Sequence, residues 1–545
     1  MPTMLWVALH LPQLSLESWQ AAAPPRRACD AACQADGAAA APEPPAQCAP
    51  EAPAVLIAEH RVQHADAAAL ARGVRVGMQR ATALALVPDL RLGQADASRD
   101  ARALRAVAHV ALGFSPSVAW LPAATADDPP ALVGVRLEVR SCLRYWGGLP
   151  ALLARLRAAL APLGHQVRIA CAPTALGAAL LAGWRDGLER GAHVQDHEAL
   201  QQLLDRLPLH LLIAGAARLQ ALAGMGLRRL ADVRRLPRDG LARRFGPTLL
   251  HRIDQARGQA PEAHGWLTLP PRFASRLELM HRADTSAQVL AGAQVLLARL
   301  VAWVQASQGC VARFSLVMHH GPRHRSERST PTHTPLDIAP ARPSADAAHL
   351  HGLLAERLGR LPLPAPVLDL SLHCDERVDA APPNAELFGA QFASAESQRA
   401  GLARLVERLQ ARLGSEQVQR LTPVADYRPE LGTCWQAADP AQLGVLSRGQ
   451  AELLRDPQVL GTQPLWLLPA PQVLAERDAA PLLAGQPLQL LAGPERLECG
   501  WWDGALVLRD YFIAQSCSGA LVWVYRKRLP VAADEPGWFL QGLFA

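Results

Sequence analysis

Few residues in this sequence could do chemistry, and they do not gather into one constellation. WVALHLPQLSLE holds one imidazole, His10, at the end of an apolar run; the first carboxylate is Glu17. A lone His with no second ligand nearby reads as a hydrogen-bonded interior residue. MHHGPRHR brings together His319, His320 and His324. Imidazoles suit transition metals, but no Cys or acid completes a set there, and the run reads as a strand end with a hairpin loop. Cys29, Cys33 and Cys48 form no CxxC pair and read as free thiols. The remaining candidate is LQALAGMGLRRLADVRRLP. There Gly224 and Gly226 would let the backbone approach a phosphate, and a following helix N-terminus would present free N–H groups. Arg228 and Arg229 add charge at that spot, and Met225 reads as core. The alternative is a purely structural helix pair.

The elements that position these residues follow from periodicity. Leu5–Leu11 is a buried strand stopped by Pro12, and LSLESWQ is a helix. Residues 21–50 are a low-complexity Ala/Pro stretch, expected to be a disordered insertion. PAVLIAE is a strand, ADAAALARGVRVGM and ATALALVPDL are helices, and a long helix covers about 98–113. VGVRLEV alternates as a strand, LRYWGG is a turn, LPALLARLRAALAPLG is an amphipathic helix, and HQVRIACAP is a strand. Residues 200–260 read as helical. A mixed segment follows: strand SRLELM, helix 285–306, strand VARFSLVMHH, helix 346–360 and strand APVLDLSLH. Beyond a Pro-rich joint come a helix at 397–413, short strands and a Trp-rich end.

Length and composition set bounds. At 545 residues the chain exceeds one core, and with 50% hydrophobic and 19% charged residues most of it should be globular. No apolar run reads as long enough to span a bilayer, and no secretory signal is evident, so the expectation is a cytoplasmic protein without a membrane. Charge is uneven: residues 201–270 hold eleven Arg against five acids, a net of +6 equal to that of the whole chain. Such a segment suits a polyanion, or is an ordinary solvated surface.

The order of elements and several motifs resemble Y-family DNA polymerases. The resemblance covers about 1–375 and is carried by VLIAEHRVQHADAAALARGVRVGMQRATALALVPDLRL, LGFSPSVAW and LEVRSCLRYWGG. LRYWGG, PLWLLPAP, GWWDG…RDYF…VWVYR and GWFLQGLFA are similar to its ImuB branch. The resemblance implies an α+β multidomain fold: palm and fingers in 1–200, a helical helix-hairpin-helix thumb in 201–270, an α/β little finger in 271–378, a linker in 379–396, and a C-terminal interaction region in 397–545.

Polymerase chemistry holds two divalent cations on carboxylates. The resemblance puts the first strand's two ligand positions at Ala8 and His10, with Glu17 as anchor, and the second strand's at Val133 and Gly134. None is a carboxylate. The sugar-policing residue falls at Gln13, the triphosphate contacts at Ala67 and Leu70, and the palm lysine at Ala175, while scaffold residues Gly73, Gly77, Met78 and Pro88 are kept. The resemblance therefore implies a non-catalytic homologue with no cofactor and no metal.

Its implied role is an adaptor in error-prone translesion synthesis. The implied partners are primer–template DNA, the sliding clamp, ImuA and an error-prone DnaE-type polymerase. DNA contact would fall to Gly224, Gly226, Arg228 and Arg229, and to Arg272 and Arg276 at the start of the next strand. NAELF resembles a clamp-binding peptide with Asn384, Leu387 and Phe388 as its determinants. Gln463–Trp466 is a rival whose flank LLPAP reads as a buried strand. Trp501, Trp502, Trp523 and Trp538 are either interface anchors or a small core. Two alternatives stand: an active, divergent polymerase using Asp127 and Asp128, and a DNA-binding repair factor without a polymerase partner.

Overall fold

The computed structural model describes residues 4–21, 52–121, 132–213, 216–321, 331–379, 395–442, 463–528 and 537–544. The chain divides into two compact units, Met1–Leu387 and Phe388–Ala545. The architecture is mixed α and β throughout.

In the first unit, β1 (Trp6–His10) forms the inside of a four-stranded antiparallel sheet. Its neighbours are β6 (Gly134–Glu138) and β7 (Arg168–Ala172), with β5 (Val118–Trp120) beyond β6. Successive side chains on a strand point to opposite faces. Leu5, Val7 and Leu9 accordingly enter one core with the helices Ala97–Leu112 and Leu149–Leu160. Trp6 and Ala8 enter another, beneath the helix Ala175–Trp184 and the helical run that follows to Ala256. Both faces of β1 are covered, which explains its unbroken apolar character. The motif segments meet here: the Trp146 indole N–H donates to the Phe114 carbonyl at 3.0 Å, and the two rings lie 4.7 Å apart.

A smaller sheet places β2 (Ala54–Ala58) antiparallel to β3 (Arg61–Ala65) on one side and parallel to β4 (Arg91–Gln94) on the other. The strands at 61–65 and 91–94 replace loop expected from the sequence. The helix expected over ADAAALARGVRVGM is only Ala67–Ala71. Asp66 caps its start, and Gly73 and Gly77, at φ +93° and +87°, turn the chain away.

The third sheet runs β10 (His333–Ile338), β9 (Gly309–His320), β11 (Val367–Asp379), β8 (Phe273–Ala283), all antiparallel. β10 was not expected; its Pro335 is tolerated because β10 is an edge strand. The helix Ser286–Ala306 packs against this sheet and against Ala97–Leu112. It is long and apolar enough to cross a membrane by length and composition, contrary to the sequence expectation, and most of it is buried within the unit.

In the second unit, the helix Ala395–Leu413 precedes a hairpin of β12 (Gln419–Pro423) and β13 (Thr433–Ala437). A seven-stranded antiparallel sheet follows, comprising β14 (Trp466–Arg477), β15 (Ala480–Leu483), β16 (Gln486–Pro487), β17 (Gln489–Cys499), β18 (Val507–Gln515), β19 (Leu521–Lys527) and β20 (Trp538–Leu543). The Trp-rich end separates by role. Trp523 and Trp538 are core, whereas Trp501 and Trp502 are exposed. LLPAP is a strand as expected, but an exposed one: Leu465, Trp466 and Leu467 all face solvent.

Candidate functional site

Directly opposed residues of antiparallel strands share a face. The register of β1 therefore defines three rows beneath the helix Ala175–Trp184. His10 lies between Gly134 and Arg168, Ala8 between Arg136 and Ala170, and Trp6 between Glu138 and Ala172. The structure thus brings Ala8, His10 and Gly134 together, and Val133 adjoins them. His10 is buried, and its Nδ1 donates to the Val133 carbonyl at 3.0 Å. Burial lowers its pKa, with the nearby Arg168 acting the same way. Gly134 admits no side chain: a Cβ would stand 1.9 Å from the Leu9 carbonyl oxygen. A carboxylate at this position is excluded by the backbone itself, not only by the residue that occupies it.

What the face holds is a fixed cation. Arg136 is buried, its Nη1 donates to Glu262 Oε2 at 2.7 Å, and its guanidinium lies over the Trp6 ring at 5.9 Å. Trp6 stacks in parallel on Trp266 and touches His264. Glu262 also accepts from the Leu176 N–H at 2.9 Å, tying the pair to the start of the covering helix. Burial pulls the Arg136 pKa down and pushes that of Glu262 up; their contact opposes both shifts. Arg168 donates to the Gly183 carbonyl on that helix. Two guanidiniums and an imidazole surround the expected ligand positions, and Glu262, the carboxylate paired with Arg136, is already engaged.

Arg136 and Glu262 escaped the sequence reading. The signal was present: VGVRLEV alternates as a half-exposed strand does, whereas its polar face is covered by helix. Glu17 accepts from the Gln166 N–H and lies 3.3 Å from His165, holding the approach to β7. Ala67 and Leu70 are exposed on a one-turn helix, and Ala175 is buried at a helix start. His319 bonds Ser371 and His320 bonds Thr334. His324, Asp127 and Asp128 lie outside the described residues. Among the described residues, no group of three or more His, Cys, Asp or Glu could hold a metal.

The glycine-arginine segment is a turn between the helices Ala216–Gly224 and Leu230–Arg234, with Gly226 at φ +79° in open space. The free N–H groups expected at the second helix are not free. Asp232 Oδ2 accepts from Arg228 and Arg229, Leu230 donates to the Leu207 carbonyl, and Ala231 to that of Asp205. Any anion here would be met by the exposed Arg228 and Arg229 side chains. Met225, expected in the core, is 40% exposed; Leu222 takes the buried position. Arg272 and Arg276 lie at the edge strand β8, near Asp375 at 3.8 Å and Asp369 at 2.6 Å. Asn384, Leu387 and Phe388 lie outside the described residues.

Comparison with known proteins returns the branch that the motifs resembled. The chain is 29% identical over 492 residues to Protein ImuB of Caulobacter vibrioides (strain NA1000 / CB15N), spanning 87% of this chain and all of that protein. The same identity and coverage hold for Protein ImuB of strain ATCC 19089 / CIP 103742 / CB 15. Among solved structures, a ternary complex of Dbh matches at TM-score 0.35 and 14% identity, covering 69% of this chain and all of that one. A DinB family error-prone DNA polymerase from Sulfolobus solfataricus matches at TM-score 0.35 and 11% identity, with the same coverage. No family model matches the chain.

Removing one partner of the buried pair should cost more than removing both. Arg136→Met leaves Glu262 unpaired and should destabilise the chain by about 3–5 kcal/mol in urea unfolding. Arg136→Met with Glu262→Gln should recover much of that. A carboxylate whose pKa is raised in the folded state loses stability as pH climbs past its unfolded value. The single variant's deficit should therefore be largest near neutrality and shrink below about pH 5. Equal losses for single and double variants would contradict this, because the unpaired carboxylate would then carry none of the deficit.

Proposed function

We propose that the chain is a non-catalytic homologue of Y-family DNA polymerases that serves as a DNA- and clamp-binding adaptor in error-prone translesion synthesis and DNA repair. The observation that carries this reading is the sheet face around β1. The ligand positions implied by the resemblance meet there. Gly134 cannot accept a side chain, and Arg136 places a positive charge beside Ala8. Divalent cations would have to compete with Arg136 for Glu262 and would face the Arg168 guanidinium, in a medium of low dielectric where like charges interact strongly. Similarity to ImuB across that protein's whole length supports the same assignment.

In this reading 1–200 is palm and fingers, 201–270 thumb, 271–378 little finger, 379–396 the clamp-binding linker, and 397–545 the partner-binding region, in a cytoplasmic protein. Gly224 and Gly226 shape a turn on which Arg228 and Arg229 reach phosphates, and Arg272 and Arg276 extend that contact along one strand. Phosphate contacts position a duplex without reading its sequence. Leu387 and Phe388 would fill the clamp's cleft beside Asn384, bringing a DnaE-type polymerase and ImuA to the primer terminus.

Purified full-length chain should extend no primer with Mg²⁺ or Mn²⁺. Templated incorporation that survives removal of contaminating polymerases would establish an active enzyme instead. Surface plasmon resonance separates the two binding functions. Duplex affinity should fall steeply with salt. Arg228→Ala and Arg229→Ala should flatten the log–log slope by about 0.7–0.9 for every phosphate they no longer neutralise. Leu387→Ala with Phe388→Ala should abolish clamp capture without changing that slope. Salt-insensitive DNA binding, or a double variant that retains the clamp, would remove the corresponding part of the proposal.

A further inference from the structure

The first unit holds a second charged feature, apart from the sheet face and from Ala67, Leu70 and Ala175. A cavity of about 410 Å³ lies between the helix Ala97–Leu112 and the start of β8. Arg102, Arg105, Arg272 and Arg299 line it with His109, and no Asp or Glu does. It shares Arg102, Arg105, Ala274 and Ser275 with an adjoining, more open groove that adds Arg276 and again contains no carboxylate.

Compensation here is uneven: Arg276 lies 2.6 Å from Asp369 and Arg272 3.8 Å from Asp375, whereas the arginines deeper in the cavity are less well matched. Arg299 is 3% exposed and donates to Ser275 Oγ at 3.2 Å. Burial and the neighbouring Arg102 bring its pKa down to about 10. Arg102 approaches Asp96 at 3.7 Å through one terminal nitrogen, and its Nε is buried without a partner. His109 Nδ1 is likewise buried and unpartnered. Burial, with Arg105 nearby, lowers that imidazole's pKa to about 4, so it is neutral at physiological pH. Buried guanidiniums and orphaned ring nitrogens are costly unless something pairs with them. The other end of the cavity is apolar. Leu112, Leu267 and Pro270 lie there with Trp120, whose ring is partly open to solvent.

We propose that this cleft binds a mononucleotide carrying two or more phosphates, the phosphates against Arg102, Arg105 and Arg299 and the base against Trp120. The volume falls in the range of small-molecule sites, roughly 300–1,000 Å³. Planar guanidiniums match phosphate oxygens two at a time, and an indole face accepts any base. The cavity borders Arg272 and the adjoining groove Arg276, both assigned above to DNA, so a duplex competitor is needed to separate the two uses.

Calorimetric titration of the full chain without divalent metal tests it, using dATP, inorganic tripolyphosphate, adenosine and a primer–template duplex. dATP should bind saturably at one per chain, tripolyphosphate more weakly, and adenosine not at all. Arg105→Glu changes an exposed side chain and should weaken dATP and tripolyphosphate about tenfold or more. Trp120→Ala should weaken dATP while sparing tripolyphosphate. Arg190→Glu, at an exposed position outside the cavity lining, should change neither. Circular-dichroism melting of each variant checks that the fold is retained. Absence of saturable dATP binding to the wild type, or unchanged affinity in Arg105→Glu, overturns the proposal. So does parallel loss of duplex and dATP binding with displacement of one by the other, which would assign these arginines to the DNA backbone.

Discussion

The ion pair between Arg136 and Glu262 is the contact on which the centre of the first unit depends. It joins β6 to a segment more than a hundred residues later, and Glu262 passes the connection on to the first turn of the helix Ala175–Trp184. That helix is apolar along nearly its whole length and lies on the Trp6–Ala8 face of the sheet. Once it is seated, water is excluded from the face, and any charge left there must be matched. One guanidinium and one carboxylate at 2.7 Å satisfy that condition with no further ligand. A cluster of carboxylates would not, unless cations came with it. The pair and a metal site are therefore competing solutions to the same electrostatic problem, and this sequence carries the residues for the first.

Much of this was legible in the sequence, for identifiable reasons. Strands and helices with strong periodicity, such as Trp6–His10, Leu149–Leu160 and Ser286–Ala306, lie where the pattern put them because local and tertiary preferences agree. The short strands at 61–65, 91–94 and 333–338 were missed. They are exposed or edge strands whose pairing comes from distant neighbours, which no local window contains. The segment 65–78 was overread as one helix because its alanines favour helix; the glycines at 73 and 77 set the outcome through positive φ.

The candidate site was legible by residue identity and illegible by environment. Alignment by resemblance named Ala8, His10, Val133 and Gly134, and the register brings that group together. The ion pair beside the expected ligand positions comes from Arg136 and Glu262, far apart in sequence. The glycine-arginine turn shows the opposite error. Its sequence suggested open backbone donors, but Asp232, four residues beyond Arg228, folds back onto them. Short acidic side chains at helix starts regularly do this.

If the β1 face holds a built-in cation in place of bound metal, it should leave added metal in solution. Electron paramagnetic resonance of Mn²⁺ added to the full chain alone, without DNA or nucleotide to chelate the metal, measures this directly. The signal of free Mn²⁺ should persist at micromolar metal, with no stoichiometric site and no change in Arg168→Ala. Saturable, stoichiometric Mn²⁺ binding that responds to substitution at His10 or Glu262 would contradict this.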